Sequence, residues 1–145
     1  MVDATLYEKD FYEWAINNAE LLRKGRLSEI DVDNIAEEIE SMGRSMKRAL
    51  KRRLEVLLTH LLKWEFQEDF RTKSWSYTII EQRRAIQDLL NEAPSLKPLA
   101  HEFLDTAYKR ARADASEEAE LKPNTFPDTC PWLLEQVLDD DFLPE

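Results

Sequence analysis

Two glycines, Gly25 and Gly43, are all that this 145-residue chain carries. Glycine-rich phosphate loops, dinucleotide fingerprints and multi-hairpin sheets need more, because their backbones visit conformations that only glycine adopts freely. The single cysteine, Cys130, excludes an internal disulfide and fits a reducing compartment. No apolar run approaches the ~20 residues that a membrane-spanning helix needs. An uncharged stretch such as Val56–Leu62 is far too short, and no apolar segment stands at the N-terminus. These features lead us to expect a cytoplasmic chain with no membrane association.

Histidine is almost as scarce. His60 and His101 are the only two, and neither lies three residues after a glutamate, as a helical di-iron site requires. HExxH spacing, Cys/His zinc spacing and an EF-hand loop are missing too. The acidic cluster Glu37, Glu38 and Glu40 instead suits the positive end of a helix, where Glu40 can pair with Arg44 four residues on. No metal and no cofactor is expected. Catalytic residues are not assigned either, since Cys130 sits between Thr129 and Pro131 with no base in a recognisable pattern.

Charge is plentiful but uneven. Thirty acidic residues against twenty basic ones give a net charge of −10, which repels phosphate polymers and disfavours nucleic acid as a partner. Yet Arg44, Lys47, Arg48, Lys51, Arg52 and Arg53 crowd one stretch without a single acid. Arg44, Arg48, Lys51 and Arg52 share much of one helical face, forming a candidate docking stripe for an acidic protein, a phosphate group or RNA. The plainer reading has Asp114 to Glu120, or the acidic tail Asp139 to Asp141, fold against it.

Everything else reads as helix. Asp10 caps a first helix through Phe11, Trp14, Ala15, Asn18, Leu21 and Leu22, with Gly25 following as the C′ residue. Asp31 or Asp33 caps a second, which runs to about Gln67. Its apolar stripe is Ile35, Ile39, Met42, Met46, Leu50, Leu54, Leu57, Leu61 and Trp64. A continuous helix of that length spans about 50 Å, against a diameter of about 40 Å for a compact domain of this size. The helix must therefore bend near Gly43 or project, and a projecting apolar stripe argues for a homodimer.

Ser74 or Thr78 is the expected cap of a third helix ending at Pro94, and a fourth starts at Ser95 with Pro98 in its first turn. Its tail, Ala113 to Leu121, is expected to fray or lie exposed. Pro131 opens a short last helix to Leu138, docked by Trp132, Leu133 and Val137.

The segment from His60 to Arg84 is the richest in chemistry. Trp64 and Trp75 flank a charged break, marking a corner between helices, and polar groups crowd it. Glu38, His60, Lys63, Trp64, Gln82 and Arg83 form the candidate binding network, with Gln82 and Arg83 facing His60 from the third helix. His60 titrates near neutrality and suits a proton carrier or ligand group, although a hydrogen-bonded spacer is the plainer role.

The fragments DFYEWAINNAELLRKGR, DNIAEEIESMGRS, LLTHLLKWEFQ, SWSYTIIEQRRAI and FPDTCPW occur in this order. Together they resemble the bacterial family known as domain of unknown function 29, common in cyanobacteria, over nearly the whole chain. The resemblance implies an all-helical, cytoplasmic bacterial protein and no assigned activity.

The sequence thus predicts a single all-α domain over residues 1–145, a compact helical bundle with a long central helix and a docked C-terminal helix. A non-enzymatic protein-interaction or regulatory module is the leading function. One alternative is a small enzyme or ligand-binding protein centred on His60. Another is a nucleic-acid-linked regulator, of toxin–antitoxin kind, acting through the Arg44–Arg53 stripe.

Overall fold

A computed structural model describes residues 4–145. Among them are six α-helices and no strand: α1 (Ala4–Lys9), α2 (Phe11–Arg23), α3 (Val32–Phe66), α4 (Lys73–Glu92), α5 (Lys97–Ala119) and α6 (Leu134–Leu138). The fold class is all-α, with α3 as the long helix. Two compact units are distinguished along the chain, Met1–Ser45 and Met46–Glu145. No helix among the described residues is long and apolar enough to cross a membrane.

Unit 1 forms around one indole. Asp10 caps α2, its carboxylate accepting from the Glu13 amide at 3.1 Å. At the other end Gly25 takes a φ of +72°, a left-handed conformation that costs glycine little. There the Arg26 amide donates to the Leu21 carbonyl and the Gly25 amide to that of Leu22, the paired bonds of a Schellman stop. The short α1 lies outside the sequence expectation. It brings Tyr7 edge-on to Trp14, with ring centroids 4.7 Å apart, while Phe11 stacks on the same indole at 5.4 Å.

Trp14 is buried, and its Nε1–H donates to Asp31 at 2.9 Å. Asp31 also accepts from the amide of Asn34, so it is the residue that opens α3. Asn18 completes the arrangement, accepting from the Asp31 amide at 2.8 Å and donating to the Trp14 carbonyl at 2.9 Å. Buried polar groups here find partners, as they must.

Unit 2 holds the hydrophobic core. The α3 stripe seals there from Leu50 to Leu61, with Leu50, Leu54, Leu57 and Leu61 at 0% exposure, and Leu58 and Leu62 join them. Ile79, Ile86 and Leu90 come from α4, and Trp132, Leu134 and Val137 close the cluster from the C-terminal segment. From α5 the contribution is Ala100, Ala107, Ala111 and Ala115, side chains small enough to let the helix backbone approach closely, with Tyr108 among them. Each fully buried leucine stabilises the fold by about 1.5–3 kcal/mol.

Three local expectations are corrected. Thr72, not Ser74 or Thr78, caps α4: its backbone is extended and its hydroxyl accepts from the Trp75 amide at 3.2 Å. The tail of α5 does not fray, because Ala115 and Ser116 are buried and the Ser116 hydroxyl donates to the Leu121 carbonyl. That turn sets Glu120 at a φ of 55°, a left-handed conformation costing a non-glycine residue about 1–2 kcal/mol. In the last element Leu134 rather than Leu133 is buried; Leu133 points to solvent, and its amide donates to the Gln136 side chain at 2.9 Å.

Candidate functional site

The six residues singled out as a polar network serve separate tasks. Glu38 belongs to unit 1, where its carboxylate accepts from the Tyr7 hydroxyl. The other five belong to unit 2. Arg83 on α4 is almost fully buried, and its Nε–H donates to the Val137 carbonyl at 2.8 Å, tying α6 to α4. Its Nη2 is sealed without a partner among the described residues. Gln82 accepts from Arg53 Nη1 at 3.2 Å and lines a small cleft with Arg52, Arg53 and Val56. Neither Gln82 nor Arg83 lines the cleft beside His60.

The tryptophan corner is pinned by two cations. Lys63, on α3, lies 4.8 Å from the ring centre of Trp75 on α4. Arg71, in the loop between them, lies 4.8 Å from the ring centre of Trp64, and its Nε–H donates to the Trp64 carbonyl at 2.7 Å. Contacts of this kind contribute about 0.5–1 kcal/mol each at exposed sites and more when desolvated. Lys63 is buried, and its ammonium has a carboxylate within reach, Glu118 of α5 at 3.5 Å. Arg71 was not among the sequence candidates, although its place between the two tryptophans was a usable signal.

His60 faces α5. With Arg52, Glu55, Val56 and Thr59 of α3, it lines a cleft of about 420 Å³ whose other wall is Arg110, Asp114 and Glu118. His60 Nδ1 lies 2.9 Å from the Val56 carbonyl oxygen, which can only accept. The proton of the neutral ring therefore sits on Nδ1, and Nε2 keeps its lone pair. Burial, reinforced by the Lys63 charge, holds the imidazole pKa below its usual value against the opposing effects of the Val56 carbonyl and Glu118. The ring is neutral at physiological pH.

Opposite charges are partly matched in this cleft. Arg110 pairs with Asp114 at 3.2 Å, and Glu118 is held by Lys63. Arg52 and Glu55 have no ion-pair partner among the described residues. Of the basic stripe, Arg44 in unit 1 pairs with Glu37 at 2.6 Å and with Glu40 at 3.5 Å. Arg48 is exposed and Lys51 half-buried, while Arg52 shares the cleft with Asp114 and Glu118. The acidic tail goes elsewhere: Asp140 accepts from Gln87 of α4 at 3.2 Å.

Cys130 offers little as a nucleophile. Its thiol donates to the Trp132 carbonyl at 3.4 Å, and burial pushes its pKa up, so the reactive thiolate is disfavoured. The Tyr108 hydroxyl is likewise tied, donating to the Pro127 carbonyl at 2.6 Å with its pKa pushed up to about 12 by burial. Among the described residues no three His, Cys, Asp or Glu side chains are grouped so as to hold a metal ion.

What these features define is a class: all-helical proteins, here with many polar side chains engaged in structural bonds and a charged cleft beside His60. The chain belongs to the family described as Domain of unknown function DUF29, whose model matches residues 6–143. No curated protein and no solved structure matches it.

Proposed function

We propose that this chain is a non-enzymatic protein-interaction module whose contact face is the α3 surface of unit 1. One observation carries the reading. The apolar stripe that is fully buried between Leu50 and Leu61 is open earlier in α3, where Ile39 is 59% and Met42 62% exposed. Val32, one turn-pair before Ile39 on the same side, is open as well. Single exposed apolar residues are ordinary, but several on one helical face are characteristic of a surface that meets another protein. The partner that fits is an amphipathic helix laying its own apolar residues along this face, a recurrent mode of recognition. Alanine and glycine at Ala36 and Gly43 keep the face low enough for such a helix to approach.

The test is a double substitution, Ile39→Asp with Met42→Asp, followed by affinity capture from native lysate with and without nuclease. The expected result is an unchanged melting temperature and loss of a nuclease-resistant, stoichiometric protein partner. Retention of the same partner by the variant would remove this face from the interaction. Partners that vanish on nuclease treatment would turn the reading toward nucleic acid and the Arg44–Arg53 stripe.

A further inference from the structure

The cleft between α3 and α5 in unit 2 is a built polar site that the interaction reading leaves unused. At about 420 Å³ it falls within the size range of small-molecule sites. Such sites are mostly apolar, whereas charged groups dominate this one, so its occupant must itself be polar. Net charge of one sign does not suit it. Two guanidiniums, Arg52 and Arg110, stand among three carboxylates, Glu55, Asp114 and Glu118. A polyanion would meet the carboxylates, and a bare cation would meet the guanidiniums.

The pairing within the cleft narrows the choice further. Arg110 is matched by Asp114 and Glu118 by Lys63, which leaves one guanidinium and one carboxylate unmatched on adjacent turns of α3. Arg52 and Glu55 are three residues apart, so they rise from the same side of the helix, about 5–6 Å from one another at their Cβ atoms. His60 lines the same cleft further along α3, and its Nε2 has a lone pair and no hydrogen-bond partner among the described residues. Nε2 is not sealed from solvent.

We propose that this cleft binds a small zwitterion, an α-amino acid or a compound with the same neighbouring carboxylate and ammonium. The ligand carboxylate lies on Arg52, its ammonium on Glu55, and His60 Nε2 accepts one ammonium proton. A carboxylate–guanidinium contact can be bidentate, which fixes orientation as well as charge. Val56 supplies the apolar floor, and the volume leaves room for a side chain.

The test is a ¹H–¹⁵N NMR titration of the whole chain with each of the common free L-amino acids, and with acetate and methylammonium as half-ligands. Expected is a saturable shift of the His60 and Arg52 side-chain signals by at least one amino acid at millimolar concentration, with each half-ligand roughly tenfold weaker or worse. Arg52→Gln and Glu55→Gln, both at positions outside the core, should each weaken that binding by roughly tenfold while leaving the rest of the spectrum in place. No saturable shift from any amino acid overturns the proposal. Acetate binding as tightly as the amino acids also overturns it, reducing the cleft to an anion site, and so do shifts that bypass His60.

Discussion

Unit 2 buries aliphatic side chains from α3, α4, α5 and α6 in one continuous cluster, whereas unit 1 buries a single indole and secures it with hydrogen bonds. The contrast follows from size. A segment of 45 residues cannot remove enough apolar surface from water to hold itself by burial alone. Directional bonds from Asp31, Asn18 and Asn34 specify its arrangement instead, and the apolar residues left over stay at the surface. Unit 1 gains definition without a large core, and its α3 face is open for that reason.

Substitutions can break or sharpen this contrast. The largest effect is expected for Leu57→Ala, which empties fully buried volume in unit 2. Denaturant unfolding should register a loss of about 2–5 kcal/mol. Trp14→Phe comes next. It keeps an aromatic ring but removes the N–H that Asp31 accepts, leaving a buried carboxylate short of a donor at a cost of about 1–3 kcal/mol. Hydrogen exchange should show the lost protection in Trp14, Asn18 and the start of α3. Equal loss throughout unit 2 would mean that both units unfold in one transition, and the contrast between them would dissolve.

A smaller effect of opposite sign is expected at Gly43. It lies inside α3 at an ordinary helical φ, and a Cβ there meets nothing within 4 Å. Gly43→Ala should therefore raise stability by about 0.5–1 kcal/mol. A loss of stability would reveal a contact that the open face does not display.

The smallest effect concerns pH. His60 is held below its ordinary pKa by burial first, then by Lys63, so the folded state favours the neutral ring. As pH falls through about 6.5, the unfolded chain takes up the proton first, and stability declines toward the lowered folded value. Above that window the contribution is fully present. Melting temperatures between about pH 8 and pH 5 should fall less steeply in His60→Gln than in the parent chain. Identical slopes would mean that the ring is as well solvated folded as unfolded.

Much of the architecture was legible because it is local. The Asp10 cap, the glycine stop at Gly25 and the stripe along α3 depend on residues a few positions apart, and spacing reports them directly. What spacing does not report is which helix packs against a given face. His60 was expected to face Gln82 and Arg83 of α4, but the far wall of its cleft comes from α5, and Lys63 meets Trp75 of α4 and Glu118 of α5 alike. The partner of Arg83 is a backbone carbonyl 54 residues later, which has no signature in side-chain identity. α1 escaped notice because so short a helix owes its existence to Tyr7 packing on Trp14, a tertiary contact. Glu38 was grouped with His60 in one candidate network, and its partner is that same tyrosine.

The bond from Arg83 to Val137 also has a consequence in time. The contacts that organise unit 1 close within the first forty or so residues, the longest being Tyr7 to Glu38. Those of unit 2 are complete only when Trp132, Leu134 and Val137 join the cluster that α3, α4 and α5 form. On the ribosome the first unit can order itself as soon as it leaves the exit tunnel. The second completes its core later, with Leu50 to Leu62 only partly covered until α4, α5 and then the segment from Trp132 to Val137 have followed. During synthesis, then, the chain carries its most adhesive surface in the part that will later be its most secure, and that interval is when a chaperone has most to do.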